Sequence, residues 1–264
     1  MERIILFRFH KNPEVCRNRL HMLQKYNPDI KLFGLYGGLK KNFPKFKKEL
    51  GCFFEHIWLI PKDKDWNWKH GDLAIREWFK YFGYKIKFDT LHLIEWDLLL
   101  FDSLSNIYKQ IPKEGVGLTG LTPLKNVEPI WYWTSKDPYK TEWKALLKFV
   151  KNKFNYTLEP FGCLCGGLCL PRKFIEIYAK TNIPELCHDE LRLPLFAQIF
   201  GFKMYDTGFY KKWFDKDEEK IFLAEKEEIK LSLIKKELSS PLGRRVFHPY
   251  RKILSFEKLM SCKK

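Results

Sequence analysis

Leu91-His92-Leu93-Ile94-Glu95-Trp96-Asp97 is a short apolar run that ends in two carboxylates one residue apart. In an extended strand the side chains at i and i+2 point to the same side, so Glu95 and Asp97 emerge together where a buried strand runs out. Two carboxylates converging there repel unless solvent reaches both or a divalent cation sits between them. Oxygen ligation of that kind suits Mg or Mn. The competing reading is a pair of solvated acids at a strand end, since an acid-x-acid triplet is common.

Outward from this run, strands alternate with helices. Ile4–Phe9 reads as a buried strand, and Asn12-Pro13-Glu14 opens a helix through Tyr26 with Pro13 in its first turn. A strand over Lys31–Tyr36 ends at Gly37-Gly38, a basic helical segment covers Phe43 to Leu50, and His56–Ile60 forms a third strand closed by Pro61. After a Trp-rich loop from Asp65 and a helix over Leu73–Phe82 comes the strand that delivers Glu95 and Asp97, with Leu98–Tyr108 expected to continue as a helix. This order predicts an α/β fold with a mostly parallel, Rossmann-like central sheet and helices on both faces. Ligand sites in such sheets lie outside the carboxyl ends of the strands, where the two acids fall.

The second half is less regular. It offers a strand near Gly115–Gly120, an aromatic loop at Trp131-Tyr132-Trp133, a basic helix over Thr141–Lys153, a small-residue loop and strand over Phe161–Arg172, and a helix over Lys173–Lys180. A further helix from Asp189 to Phe200 stops at Gly201, and a charged helical segment from Asp215 to Lys236 is broken at Ser239-Ser240-Pro241. Gly166-Gly167 gives a backbone that can approach a ligand closely.

A chain of 264 residues, 45% hydrophobic and 17% aromatic, can bury a substantial core. No apolar run approaches a membrane span, the first residues are too soon interrupted for a signal peptide, and seven irregularly spaced cysteines fit free thiols; a cytoplasmic protein, peripheral at a membrane at most, is expected. The net charge of +16 implies an anionic partner. Because the lysines are spread without a block of five or six, a solvated basic surface is favoured over a dedicated nucleic-acid patch. The alternative to an enzyme is a nucleic-acid-binding or membrane-surface module using that charge and the nine Trp, 12 Tyr and 23 Phe. Asp65–His70 and Trp131–Trp133 could dock on anionic lipid or grip a carbohydrate acceptor. Cys163, Cys165, Cys169, Cys187 and His188 form a rival zinc set, although their spacing departs from the usual C-x2-C knuckle.

Taken in order, several segments resemble GT-A glycosyltransferases. Glu95-Trp96-Asp97 resembles their acid-x-acid metal motif, Gly166–Arg172 their acceptor-side floor, His188-Asp189-Glu190 the acidic pair that opens a helix and supplies a base, and His248-Pro249 the late histidine of the metal shell. Two positions depart from the family pattern: Glu95 stands where Asp is usual, and Asp189-Glu190 where Glu-Asp is usual. The resemblance implies a GT-A-like three-layer sandwich in one catalytic domain, residues 1–255, with a nucleotide-binding half (1–110), an acceptor-side half (111–255) and a basic tail (256–264). It implies a metal-dependent transfer of sugar from a nucleoside-diphosphate sugar to a carbohydrate, lipid-linked or other hydroxyl acceptor, with inversion as the expected outcome. The metal, Mn or Mg, would be held by Glu95, Asp97 and His248, with Asp189 or Glu190 as base. Phe9, His10, Asp72, Arg76 and Trp96 would join Glu95 and Asp97 around the nucleotide.

Overall fold

The computed structural model describes residues 1–223 and 228–255. Its strands are β1 (Arg3–Phe9), β2 (Lys31–Tyr36), β3 (His56–Leu59), β4 (Thr90–Glu95), β5 (Leu99–Leu100), β6 (Val116–Pro123), β7 (Phe161–Pro171), β8 (Met204–Asp206) and β9 (Val246–Phe247). Seven of them form one sheet in the order β3-β2-β1-β4-β7-β6-β8. β1 pairs in parallel with β2 and β4, β2 with β3, and β6 with β8, while β7 runs antiparallel to both β4 and β6.

The alternation along β1 explains the three layers. Ile4 and Leu6 face one apolar layer together with Leu73, Trp78 and Phe196, whereas Ile5, Phe7 and Phe9 face the other with Leu20, Phe46 and Leu50. A sheet buried on both faces needs helices on both, and the chain supplies Pro13–Tyr26 and Phe43–Leu50 to one side and Gly71–Tyr81, Arg172–Lys180 and Asp189–Ile199 to the other. Gly201, at φ +74, terminates the last of these as a left-handed residue after the helix end.

Two segments differ from expectation. Leu98–Tyr108 is not a continuous helix: Leu99–Leu100 is a short strand paired with β9, and only Leu104–Ile107 is α-helical. The apolar run there packs against Phe247 and Ile234 in a third small core, which favours strand pairing over continuation of a helix. Between Asp215 and Lys236, the described residues hold a short 3-10 turn at Glu218–Lys220 and a helix at Leu231–Ser239. The basic tail 256–264 lies outside the described residues. No helix among the described residues is long and apolar enough to cross a membrane.

Candidate active site

The direction of winding reverses at β1, with β2 and β3 on one side of it and β4 on the other. Open α/β sheets form their ligand crevices outside the carboxyl ends of the strands at such a reversal. Arg8 and Glu95 stand opposite each other in register at that place.

Arg8 is a functional candidate that the sequence reading missed. Its Nε lies 2.7 Å from Glu95 Oε1 and donates to Oε2 at 3.0 Å, and its Nη1 lies 3.9 Å from Asp189 Oδ2. Burial opposes the guanidinium charge, but Glu95 and Asp189 more than offset it and raise its pKa. The signal was present in the sequence, because a lone charge in the run Ile4–Phe9 has to be paired if the strand is buried. Gly71 makes room for this contact. Its N–H donates to Asp189 Oδ2 at 3.0 Å, and a Cβ at that position would lie 1.7 Å from Arg8 Nη1 and 2.6 Å from the same carboxylate oxygen.

The two acids of the acid-x-acid pair have different partners. Glu95 is engaged by Arg8, whereas Asp97 faces His248, whose Nε2 is 3.6 Å from Oδ1, and Arg251, whose Nε is 3.5 Å from Oδ2. Burial alone would push the Asp97 carboxyl up, but His248 and Arg251 hold it below the usual carboxylate range. The segment carrying those two residues is fastened in place by buried Arg19, whose Nη2 donates to the carbonyls of Tyr250 and Lys252 at 2.7 Å each, and by Tyr250 N–H donating to Asp97 O at 2.7 Å. Among the described residues no group of three or more His, Cys, Asp and Glu is placed to hold a metal. The expected ligands Glu95, Asp97 and His248 thus divide between two sets of contacts, Glu95 with Arg8 and Asp97 with His248. Mg is commonly held by one or two carboxylates and completes its shell with substrate phosphate and water, so Asp97 could supply the protein carboxylate, with the His248 imidazole beside it.

The acidic pair at the start of the helix Asp189–Ile199 splits into two environments. Asp189 is fully buried, with Oδ1 2.8 Å from His188 Nδ1 and Oδ2 accepting from Gly71. Burial works against its charge, yet His188 and Arg8 hold its carboxyl well below the ordinary range. Glu190 accepts from Trp133 Nε1 at 2.7 Å and from the Cys165 N–H at 3.2 Å, and burial raises its pKa. His188, stacked on Trp133 with ring centroids 4.1 Å apart, loses hydration by burial but is raised by Asp189 and Glu190.

The other expected site residues have mixed surroundings. Phe9 is fully buried and stacks on Phe54 at 5.7 Å, so it is a core residue with no surface to offer a base. Trp96 is also buried, with His10 edge-on at 5.4 Å and the Lys11 ammonium 5.4 Å from its ring. Burial and the neighbouring Lys11 and Arg8 charges lower the His10 pKa to about 4. Asp72 is buried in an ion pair with Arg192, which donates from Nε at 2.9 Å and Nη2 at 2.5 Å, and it also accepts from Tyr178. Arg76 bonds Glu77 at 2.9 Å and the Ile183 carbonyl at 3.3 Å. Gly166 and Gly167 admit protein rings in place of a ligand: a Cβ would lie 2.8 Å from Phe222 at the first and 2.8 Å from Phe209 at the second. Arg172 follows Pro171, which pairs with Thr90 at the start of β4, the opposite end of that strand from Glu95. The zinc set is likewise dispersed: Cys163 and Cys165 lie by Glu190, while Cys169 pairs with His92.

No family model and no curated protein matches the chain. Among solved structures it is similar to the galactosyltransferase LgtC in complex with donor and acceptor sugar analogs (15% identity, TM-score 0.37, covering 67% of this chain and 60% of that one). It is also similar to mouse xyloside xylosyltransferase 1 in its apo form (9% identity, TM-score 0.38, covering 78% and 85%). A third similar structure is the apo bifunctional glycosyltransferase WbbM (9% identity, TM-score 0.44, covering 94% and 46%). The chain spans 60% of the length of the LgtC chain it matches.

Proposed function

We propose that this chain transfers a glycosyl group from a nucleoside-diphosphate sugar to a hydroxyl acceptor, with inversion. The observation that carries the reading is the pairing of Arg8 with both Glu95 and Asp189 at the carboxyl ends of β1 and β4, where the sheet reverses, with Asp97 two residues past Glu95 and Glu190 next to Asp189. The sequence resemblance at Glu95-Trp96-Asp97, Asp189-Glu190 and His248 points the same way.

The two carboxylates of the helix start suit different tasks. Asp189, sealed and held ionised by His188, Gly71 and Arg8, fixes the geometry. Glu190, with a raised pKa and some exposure, is the better proton acceptor. As the acceptor oxygen bonds to the anomeric carbon and the bond to the diphosphate breaks, the hydroxyl proton passes to Glu190; such base catalysis contributes about 10² to 10⁴ in rate. Asp97 and His248 would hold Mn or Mg, which when bound supplies charge neutralisation to the departing diphosphate. Arg251 beside Asp97 adds a second positive group to the same mouth.

The test is thermal stability of the purified chain with UDP, GDP, CDP or ATP, each with Mn, Mg or chelator, beside an Asp97→Ala variant. A nucleotide that binds the folded state raises its melting temperature. Stabilisation by one nucleoside diphosphate only with metal, and lost in the variant, is expected; no stabilisation by any of them would overturn the reading.

A further inference from the structure

Two aromatic segments far apart in sequence meet at the acidic pair. Trp68 closes the helix Lys64–Lys69 region, and Tyr132 and Trp133 open the helix Tyr132–Ser135. The Trp68 ring lies 5.2 Å from Trp133 and 5.4 Å from His188, and the Tyr132 ring lies 5.1 Å from Trp133. Trp68 is 55% exposed and Tyr132 52% exposed, while Trp133 is buried beneath them and bonded to Glu190. Scattered exposed rings need no explanation. These are not scattered: they lead from solvent to the indole that holds the proposed base.

We infer that Trp68, Tyr132 and Trp133 form an acceptor subsite for the flat, C–H-rich face of a neutral pyranose, with the reacting hydroxyl directed toward Glu190. The inference rests on the proposed transfer reaction, and it narrows the hydroxyl acceptor to a sugar. Aromatic faces suit such a ligand because a pyranose is apolar on its faces and polar at its rim. Charge argues against an anionic lipid here. Glu190 is bonded to Trp133 and Asp189 lies against His188 at the base of the cluster, and Lys69, the chain neighbour of Trp68, is already engaged by Glu142 at 2.6 Å. An anionic headgroup would face like charge, whereas a neutral sugar would not.

The experiment probes an array of neutral mono- and disaccharides with the full chain and with Trp68→Ala, Tyr132→Ala and Trp68→Phe variants. Phosphatidylserine vesicles serve as a competing surface, and nucleoside-diphosphate stabilisation is measured on each protein. Binding of at least one neutral saccharide is expected, weakened about tenfold by either alanine variant, which is roughly one stacking contact, and largely kept by Trp68→Phe. No saccharide binding by the unaltered chain, or equal binding by Trp68→Ala, would overturn the inference. So would vesicle binding that is lost in Trp68→Ala while saccharides are ignored. Saccharide binding that depends on Trp68, without stabilisation by any nucleotide, would leave the subsite standing and sink the donor reading instead.

Discussion

Replacing Arg8 with Met isolates the contact around which the site is built. The substitution keeps much of the side-chain volume and removes the charge that faces Glu95 at 2.7 Å and Asp189 at 3.9 Å. Removing one partner of a buried ion pair typically costs 3–5 kcal/mol, because the other charge is left uncompensated. The Arg8 and Glu95 side chains are 15% and 11% exposed, and Asp189 keeps Gly71 and His188, so the lower end applies, about 3 kcal/mol. For a chain of this size each kcal/mol moves the melting temperature by about 2–4 °C, which gives a fall of roughly 6–12 °C. The assay is urea unfolding followed by tryptophan fluorescence, on Arg8→Met, Glu95→Gln and the double variant. If charge compensation is the reason for the pair, the double variant recovers at least 1 kcal/mol of the roughly additive loss, since contacting residues couple by about 0.5–3 kcal/mol. An Arg8→Met chain within about 1 kcal/mol of the parent, or no recovery in the double variant, would refute the reasoning.

Other consequences are equally direct. Gly71→Ala, whose Cβ would lie 1.7 Å from Arg8 Nη1 and 2.6 Å from Asp189 Oδ2, should cost about 1–3 kcal/mol as an overpacked site, read as a lower urea midpoint; an unchanged midpoint would mean that Arg8 yields freely. Glu190→Gln should lower kcat by about 10² to 10⁴ with little change in the donor's KM, and full activity in that variant would assign the proton to another group. The parent's rate should fall with acid at a pH above the usual carboxylate range, because the Glu190 pKa is raised. His188 is raised above its ordinary value, so its contribution to stability is fully present below about pH 6.5 and is lost as pH rises through the folded value. The destabilisation caused by His188→Gln should accordingly be larger at pH 6 than at pH 9, and chemical denaturation showing the same loss at both would count against a charged His188–Asp189 pair.

Much of the architecture was legible because periodicity and punctuation agreed. Lys31–Tyr36 reads as a strand stopped by Gly37-Gly38 and is one, and Pro13 opens the first helix as its position predicts. The failure at Leu98–Tyr108 has a clear cause: a short apolar run cannot by itself distinguish a helix start from a strand whose partner, Val246–Phe247, lies near the other end of the chain. The candidate carboxylates could be picked out in the sequence, but most of their partners could not. Glu95, Asp97, Asp189 and Glu190 stand out by spacing, and His188 adjoins Asp189 in the chain, yet Arg8, Trp133 and Arg251 are brought to these acids only by the fold. The buried partner of Asp72, Arg192, could likewise not be read from local spacing, because 120 residues separate the two.

The Arg19 clamp on the Tyr250 and Lys252 carbonyls makes the site a closure between the two ends of the described chain. Asp97 gains His248 and Arg251 only once that long loop is shut, and closing a loop of such length is entropically costly although the cost grows slowly with length. A ligand that joins Asp97 to His248 would add its binding energy to that closure, and so to the stability of the folded chain.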